Sequence, residues 1–315
     1  MRWYPAPPLL LLLSLLLGRS WGQSPGFRIC AFNVQNFNDA KASDARIVHV
    51  LIRIVSRCDI ILLQEVKDPQ GSAIKTLLVA VNRDNERYDD KYTYQSVSSK
   101  GLGNSANDMQ QYVFLYREEM VSVMGQHQYQ KNHSFIREPF AVHFHSKRTA
   151  IRDFVLVPLH TAPHQAVQEI DRLYDVYEEI TKKWKTQNVM FLGDFNAGCA
   201  HMTHSNRKQI RLYTKKGFYW LIGDKVDTVV YDTTDCPYDR IVVHGTPFLK
   251  TIKPASAKVF KFSQEFKLPM DRVLKVSDHY PVEVELRSSA HLVQTMPLVI
   301  LLGLSVIVQA SLKAL

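Results

Sequence analysis

The chain lacks any Pro-, Gly- or Ser-rich linker, internal repeat or low-complexity tract between its two apolar ends. Their absence argues against a string of tethered domains. Roughly 265 residues remain between those ends, a length that suits one large α/β domain or two smaller ones. We therefore expect one domain over residues 23–288.

The chain also lacks an N-terminal apolar stretch that is long enough to cross a bilayer, which takes about 20 residues. Arg2 precedes a short apolar core from Leu9 to Leu17, and Ser20-Trp21-Gly22 forms a small-x-small cleavage site. Residues 1–22 are therefore interpreted as a secretory signal peptide. A glycosylation sequon at Asn132 is expected on a surface loop.

Basic residues are nearly absent after the apolar C-terminal run 296–312, where only Lys313 follows. A spanning helix usually has basic residues on its cytoplasmic side. Small residues at 288–290, a short polar spacer and a terminal apolar tail are more typical of a glycolipid-anchor signal. Residues 289–315 are therefore expected to be a GPI-anchor signal, with a transmembrane helix as the alternative. The protein is expected in the secretory pathway, at the cell surface or in an endomembrane lumen, or else secreted.

Acidic residues are outnumbered, since 39 Lys and Arg stand against 30 Asp and Glu and give a net charge of +9. This excess favours a polyanionic partner. Heparin and anionic lipid would be attracted as well as nucleic acid, so charge alone does not name the partner.

Cysteine is scarce, with four residues in the chain. Thiols tend to pair in an oxidising compartment. Cys199 and Cys236 each lie in a turn-rich segment beside a candidate catalytic residue, so we pair them, which would stabilise the fold by about 4 kcal/mol. Cys30 lies in an apolar run and Cys58 precedes another, so both are expected to be buried free thiols.

The chain does contain many short apolar segments separated by helical patterns. Strands are expected at 27–34, 59–64, 111–116, 139–144, 153–159, 188–193, 239–243 and 280–286, and helices at 43–57, 72–82 and 164–185. Several strands follow one another directly, so the sheets should be mixed. The expected fold is a four-layer α/β sandwich, with two packed mixed β-sheets flanked by helices.

Polar residues that can act in catalysis stand where apolar segments end. One such residue is usually a cap or turn former, but the chain has six: Asn33, Glu65, His160, Asp239, Asp278 and His279. In the run FLGDFNAGC, Asp194 and Asn196 are two positions apart and can point to the same face. Their oxygen atoms suit Mg²⁺ or Mn²⁺.

Together these residues suit phosphodiester hydrolysis. Water must attack phosphorus in line while the leaving oxygen is protonated, so a general base and a general acid are needed on opposite sides. His160 and His279 are the pair at suitable positions, and each needs a carboxylate behind it that fixes its tautomer and stabilises the imidazolium. The expected metal-binding set is Glu65, Asn33, Asp278, Asp194 and Asn196.

Seven segments resemble, in order, the deoxyribonuclease I family: FRICAFNV, DIILLQEV, FIREPFAV, VLVPLHTAP, FLGDFNAGC, CPYDRIVV and SDHYPVEVEL. The similarity covers about residues 27–287, and the apolar tail resembles that of the membrane-anchored branch. The resemblance implies a DNase I-like sandwich, Mg²⁺ with Ca²⁺ as cofactors, a monomer, and endonucleolytic cleavage of double-stranded DNA through the minor groove.

The resemblance also implies roles for individual residues. It makes His160 and His279 the catalytic histidine pair, with Asp239 orienting His279, and makes Cys199–Cys236 the essential disulfide. The remaining matches are Glu65 with Asn33 nearby (divalent metal), Asp194, Asn196 and Asp278 (phosphate and metal), Arg137 (scissile-strand phosphates) and Lys67 (minor groove).

Three positions depart from the family pattern. Gln110 stands where the family has a glutamate behind the first catalytic histidine, so the pKa of His160 should be lower than it would be beside a carboxylate. Asp108 stands where the family has a minor-groove tyrosine, and its negative charge would oppose DNA. The segment 227–230 lacks the repeated threonines of the family's calcium loop.

The sequence leaves three hypotheses. The leading one is a metal-dependent endonuclease on double-stranded DNA, with activity reduced because Gln110 replaces a catalytic glutamate. The second is a membrane-displayed, DNA-binding pseudoenzyme with little or no nuclease activity. The third is a phosphodiesterase of the same superfold acting on phospholipid, which the Arg137-Glu138-Pro139 run and the Cys199–Cys236 pair disfavour.

Overall fold

The structure, a computed structural model, describes residues 26–87, 92–130, 134–231 and 233–289. The predicted signal peptide, the sequon residue Asn132 and the tail from residue 290 onward lie outside the described residues. Within the described ranges, no helix combines the length and the apolar character needed to cross a membrane.

Two mixed sheets organise the described chain. The strands are β1 (Phe27–Phe37), β2 (Ile60–Val66), β3 (Tyr94–Ser98), β4 (Gln111–Arg117), β5 (Ser122–Gln128), β6 (Phe140–His145), β7 (Asp153–Pro158), β8 (Val189–Asp194), β9 (Phe218–Trp220), β10 (Asp239–His244), β11 (Lys258–Val259) and β12 (Val282–Leu286). One sheet has the order β11-β12-β1-β2-β4-β3 and the other β5-β6-β7-β8-β10-β9. The pairs β1/β2 and β7/β8 are parallel, and the other neighbours are antiparallel.

Helices flank the two sheets, and most of them cover the outer faces. They are α1 (Asp39–Ser43), α2 (Ala45–Val55), α3 (Ser72–Arg87), α4 (Ala166–Trp184), α5 (Arg211–Thr214), α6 (Thr246–Thr251), α7 (Phe262–Glu265) and α8 (Met270–Val276). The predicted helix 43–57 divides at Asp44, whose carboxylate accepts hydrogen bonds from the backbone N–H groups of Arg46 and Ile47. This N-cap starts α2 afresh after the short α1.

The core has three apolar layers, which makes the four-layer sandwich predicted from the sequence. In β1, Ile29 and Ala31 pack between the two sheets, whereas Cys30 and Phe32 pack toward the helices α2 and α3. A third layer lies between the second sheet and α4. The central strands therefore bury both faces, which explains their continuous apolar runs.

The sequence missed strands at the sheet edges. Half-exposed β5 carries Gly125 and His127 among alternately exposed residues, so it has no apolar run to reveal it. The short strands β3, β9 and β11 were missed as well. Edge strands bury only part of their surface, and hydrophobic patterning reveals them poorly.

The prediction that Cys30 and Cys58 are free thiols is wrong. They form a disulfide with their Cα atoms 6.1 Å apart. Cys30 points from β1 into the layer between the first sheet and its helices, and Cys58, in the turn between α2 and β2, lies in the same layer. The Cys199–Cys236 disulfide is also present.

Candidate active site

Two irregular strand ends aim the first polar side chains into the site. The ladder between β1 and β2 shifts register after Asn33, and that between β2 and β4 shifts after Leu63. Glu65 has a φ of +58°, in the left-handed region, which is a strained conformation often found at functional sites. The bulge turns the Glu65 carboxylate toward Asn33, whose Nδ2 donates to Glu65 Oε1 at 3.0 Å.

A buried glutamine joins the two sheets directly beneath the site. Gln64 Nε2 donates to the carbonyl oxygen of Leu159 at 2.8 Å, and Gln64 Oε1 accepts from the backbone N–H of Asp194 at 2.9 Å. The close approach requires glycine at position 193, where φ is +126° and a Cβ would lie 2.6 Å from Gln64 Nε2. Gln64 therefore sets the position of Asp194 relative to Glu65.

The two histidines face one carboxylate oxygen from different sides. His160 Nε2 lies 3.5 Å and His279 Nε2 lies 3.6 Å from Asp194 Oδ2. The other ring nitrogen of each histidine has its own partner. His279 Nδ1 lies 2.7 Å from Asp239 Oδ2, and His160 Nδ1 lies 3.1 Å from Gln110 Oε1.

The environments separate the pKa values of the two histidines. Burial lowers the pKa of His160 to about 4, against a smaller opposing effect of Asp194. Burial also acts to lower the pKa of His279, but the carboxylates of Asp239 and Asp194 together outweigh it and raise that pKa to about 10. The pair therefore holds one proton at neutral pH, on His279.

The donor set fits a divalent cation. Asn33 Nδ2 donates to Glu65 Oε1 and, at 3.2 Å, to Asp194 Oδ2, so the two carboxylates converge on one amide. Burial raises the pKa of Asp194, and the positive charge of His279 opposes that shift; a divalent cation bound here would stabilise the carboxylate further. Ligand atoms of Asp194, Asp239 and His279 also lie within 4.8 Å of one another and could hold a metal ion.

The predicted metal ligands are not equivalent in the structure. Asn33 presents its amide nitrogen to the carboxylates, while its Oδ1 accepts from the backbone N–H of Gln35 at 3.0 Å. Asn33 therefore orients the carboxylates in this arrangement. Asn196 lies beside them, since its N–H donates to Asp194 Oδ1 at 3.0 Å and its Nδ2 to the carbonyl of Thr161.

Residues 30–279 match the endonuclease/exonuclease/phosphatase family. The chain is 43% identical to human deoxyribonuclease gamma over 289 residues, which cover 90% of this chain and 92% of the relative. It is 42% identical to human deoxyribonuclease-1-like 1 over 303 residues, which cover 96% of each. The chain belongs to the deoxyribonuclease I family.

Solved structures of distant relatives share the deoxyribonuclease fold. The human Nocturnin catalytic domain with bound sulfate matches 84% of this chain and 95% of its own, with 14% identity and a TM-score of 0.57. A mannosyl-6-phosphatase from Bacteroides thetaiotaomicron matches 82% and 99%, with 16% identity and a TM-score of 0.53. At this identity the likeness concerns the fold alone.

The residues predicted to contact DNA lie on the His160 side of the deoxyribonuclease site. Arg137 is mostly buried, and its Nη2 lies 2.7 Å from Asp108 Oδ1. Its carbonyl accepts from the Tyr112 hydroxyl, which itself accepts from the backbone N–H of His160. Lys67 Nζ lies 3.4 Å from the carbonyl of Asn107. Asp108 therefore neutralises the arginine predicted to bind phosphate.

Asp278 and the predicted calcium loop around Asp227 have contacts that differ from those of Glu65 and Asp194. Within the described ranges the Asp278 carboxylate forms no ion pair, although its charge acts to raise the pKa values of Lys41 and His279. In the loop, Asp227 Oδ1 accepts from the backbone N–H groups of Val229 and Cys236, at 3.1 and 3.2 Å. Asp227 Oδ2 lies 3.8 Å from Lys261 Nζ, so local groups already contact both oxygens.

Sequence reasoning missed three positioning residues: Gln64, Lys41 and Ser277. Lys41 Nζ donates to the carbonyls of Val34, Gln35 and Val276, at 2.9, 2.5 and 2.8 Å. Ser277 Oγ donates to the carbonyl of Asn33 and accepts from the backbone N–H of His279. A glutamine within an apolar strand is the one available signal, since a buried amide needs partners.

Proposed function

We propose that the protein is a divalent-metal-dependent endonuclease that hydrolyses phosphodiester bonds of double-stranded DNA, at a rate reduced by Gln110. One observation carries the proposal: two imidazole Nε2 atoms, on His160 and His279, flank the same buried carboxylate oxygen of Asp194 at 3.5 and 3.6 Å. The names of the family relatives, which are deoxyribonucleases, support DNA as the substrate.

The histidine pair supplies the proton transfers. With pKa values near 4 and 10, one imidazole is ready to accept a proton and the other to donate one at neutral pH. In-line hydrolysis needs both functions, one for the attacking water and one for the leaving oxygen. Asp239 holds His279 in position and stabilises its charged form, while Gln110 orients His160 without adding charge.

Glu65 and Asp194 would hold Mg²⁺ or Mn²⁺, with Asn33 and Asn196 beside them. When bound, such an ion neutralises charge on the non-bridging phosphate oxygens. Asn33 keeps the two carboxylates together, and Lys41 and Ser277 hold the backbone that carries Asn33 and His279. Asp278 is proposed as a contributor of negative charge rather than a direct ligand. Calcium binding at the loop around Asp227 would have to displace Lys261.

Arg137 and Lys67 are proposed to bind DNA phosphates next to His160. Arg137 is nine-tenths buried, and its guanidinium is held by Asp108. A phosphate would compete with this carboxylate for the same donors. DNA binding is therefore expected to be weaker than an unpaired arginine would allow.

The alternative is a DNA-binding pseudoenzyme. A specific observation favours it: the partner of His160 Nδ1 is the neutral amide of Gln110, which cannot stabilise an imidazolium as a carboxylate does. The other site residues, among them Glu65, Asp194 and His279, are held by hydrogen bonds in the site. For this reason we favour the active enzyme over the pseudoenzyme.

Nicking of supercoiled plasmid separates the two proposals. Full-length protein with Mg²⁺ should nick the plasmid, and EDTA should abolish nicking. His279→Ala should lower the rate by at least about a hundredfold, the usual worth of a general acid or base. His145→Ala is the matched control and should leave the rate unchanged, because His145 is a partly exposed histidine at the end of β6 whose partner is Asp153. Equally weak nicking in the wild type and the His279 variant would favour the pseudoenzyme, which binds DNA without cleaving it.

The cellular setting is proposed from the sequence. We propose one catalytic domain over 23–288, a cleaved signal peptide, a glycan on Asn132, a monomer, and a GPI anchor added near Ser288. The two disulfides support an oxidising compartment. Release of the protein from cells by a phosphatidylinositol-specific phospholipase would support the anchor, and resistance to release would favour a transmembrane tail.

A further inference from the structure

The strands place the active site and the described chain ends at opposite poles of the sandwich. Asn33 stands near the carboxyl end of β1, whereas Phe27 begins that strand and pairs with Leu286 at the end of β12. The strand between Phe27 and Asn33 spans roughly 20 Å, at 3.3 Å per residue. Ser288 and Ser289 follow β12, so the chain leaves the fold at the pole remote from the catalytic residues.

This terminal pole carries a pocket of about 480 Å³, which we call the arginine pocket. Gly26 and Ser289, from the two ends of the described body, both line it. Four separate segments contribute one arginine each to its wall, namely Arg28, Arg57, Arg117 and Arg148. Asp59 is the sole carboxylate in the described lining.

Positive charge exceeds negative charge around the arginine pocket. Glu283 is shared by Arg57, Lys258 and Arg28, at 3.0, 3.6 and 3.7 Å. Glu285 is shared by Arg28 and Lys253, at 2.6 and 2.9 Å. Asp59 pairs with Arg117 at 3.1 Å. These ion pairs join five cationic side chains to three carboxylates, and Arg148 adds a sixth cation to the pocket wall.

Among the four arginines of the pocket, Arg148 differs in having no carboxylate partner within the described residues. It is exposed, and its guanidinium forms no ion pair with any carboxylate of the described residues. An adjoining groove carries Glu118 and Glu119 beside Lys147 and Arg148. When this groove is counted with the pocket and its ion pairs, seven Lys and Arg side chains stand against five carboxylates, so an excess of positive charge remains.

Unpaired polar atoms are concentrated in the same pocket. Twelve buried side-chain nitrogen and oxygen atoms of the described residues have no hydrogen-bond partner. Four of them belong to residues of the pocket wall: Arg28 Nε, Arg57 Nε, Ser56 Oγ and Ser288 Oγ. These atoms lie behind the pocket surface, so they mark a polar wall that is incompletely hydrogen-bonded. The groups that a bound anion could contact directly are the accessible guanidinium nitrogens of the same wall.

We propose that the arginine pocket binds the phosphate-bearing headgroup of an anionic phospholipid and thereby holds the terminal pole against a membrane, with the catalytic cleft facing away. Guanidinium donors match phosphate oxygens. The proposal goes beyond the proposed nuclease activity and does not depend on it.

The position of the pocket decides between lipid and DNA. Either form of the proposed tail would bring a membrane surface to the pocket. A GPI anchor added near Ser288 would be attached at the pocket wall. An uncleaved apolar run would instead start at Met296, seven residues beyond Ser289, a length of at most about 25 Å of extended chain. A DNA duplex in the catalytic cleft would instead contact the opposite pole.

Thermal unfolding of the full chain in neutral detergent micelles tests the proposal. Dihexanoyl-phosphatidylserine should raise the unfolding temperature, because a ligand of the native state stabilises it, and dihexanoyl-phosphatidylcholine should not. Arg148→Gln should weaken the apparent affinity for phosphatidylserine about tenfold, as expected on losing one charge-assisted contact. Arg83→Gln, an exposed arginine on α3, is the matched control. Plasmid nicking should be the same in both variants and the wild type.

Four results would overturn the proposal. Equal stabilisation by phosphatidylcholine would show that lipid acts through its chains. An unchanged response in both Arg148→Gln and Arg148→Glu would place the binding elsewhere. Equal stabilisation by inorganic phosphate at the same concentration would leave a simple anion site. Displacement of phosphatidylserine by a DNA oligonucleotide that depends on Arg148 would make the pocket a nucleic-acid site.

Discussion

At the scale of single residues, the site depends on which partner each charged group has. Asp239 supports His279 with a full charge, whereas Gln110 supports His160 with a dipole only. Asp108 occupies the guanidinium of Arg137. Both departures from the family pattern lie on the His160 side of the cleft, and each is reversible by one substitution.

Gln110→Glu should increase nuclease activity near neutral pH by about tenfold. Burial now lowers the pKa of His160 to about 4, and a carboxylate at Nδ1 would raise this pKa by favouring the imidazolium. Because His160 accepts the proton only when it is unprotonated, the rate should gain at neutral pH and above, and it should fall at acidic pH values below the raised pKa. Plasmid nicking over a pH series measures it. Gln126→Glu, exposed on β5, adds the same charge elsewhere as a control. An unchanged rate in Gln110→Glu would mean that this amide is not limiting.

Asp108→Asn should strengthen DNA binding by releasing Arg137. Removing the carboxylate also removes a like charge facing phosphate, so KM for DNA should fall several-fold while kcat changes little. The salt dependence of binding should become steeper by about one phosphate contact. Titration of a fluorescent duplex at several salt concentrations measures both effects. A weaker affinity would show instead that Asp108 is needed to hold Arg137 in place.

At the scale of secondary-structure elements, short polar links hold the ends of strands in register. Gln64 connects β2 to the segment after β7 and to β8, while Lys41 ties the end of β1 to the end of α8. The bulge at Glu65 and the glycine at position 193 are the backbone features that make these links possible. Helix and strand propensity does not report them.

Gln64→Leu should destabilise the fold by about 2–5 kcal/mol, because it leaves the Leu159 carbonyl and the Asp194 N–H buried and unpaired. Urea unfolding measures the loss. The rate of plasmid nicking should fall as well, since Asp194 loses its link to the sheet that carries Glu65. Gln126→Leu is the exposed control. A loss of stability with a normal rate would show that Gln64 supports the core without positioning the site.

At the scale of the whole molecule, two disulfides fasten different regions. Cys30–Cys58 lies within the first sheet and its helical layer, and its partners are 28 positions apart in the sequence. Cys199–Cys236 spans 37 residues and closes the segments that carry Asn196 and Asp239. The first bond therefore bears on stability alone, and the second also bears on the site.

Removing each disulfide should separate these roles. Chain-entropy arguments give about 3.5 kcal/mol for the first loop and about 4 kcal/mol for the second. The variant Cys30→Ala with Cys58→Ala should unfold at lower urea but nick plasmid normally when folded. The variant Cys199→Ser with Cys236→Ser should lose both stability and rate. Equal rates in the two folded variants would contradict a positioning role for the second bond.

The sequence by itself determined the layered sandwich and most of the polar residues at the strand ends. A continuous apolar run indicates a strand that is buried on both faces. The spacing of Asp194 and Asn196 at positions i and i+2 indicates that they share one face of a strand. These properties depend on neighbours in the chain. The central strands and α4 could therefore be predicted from the sequence.

Only the tertiary structure decided which distant groups meet. The Cys30–Cys58 bond depends on how the turn after α2 packs against β1. The hydrogen bond between Gln64 and Asp194 depends on the distance between the two sheets. The pairing of Asp108 with Arg137 depends on how two loops pack. Such contacts join residues far apart in sequence, and their geometry is set by bulges and packing that periodicity does not encode.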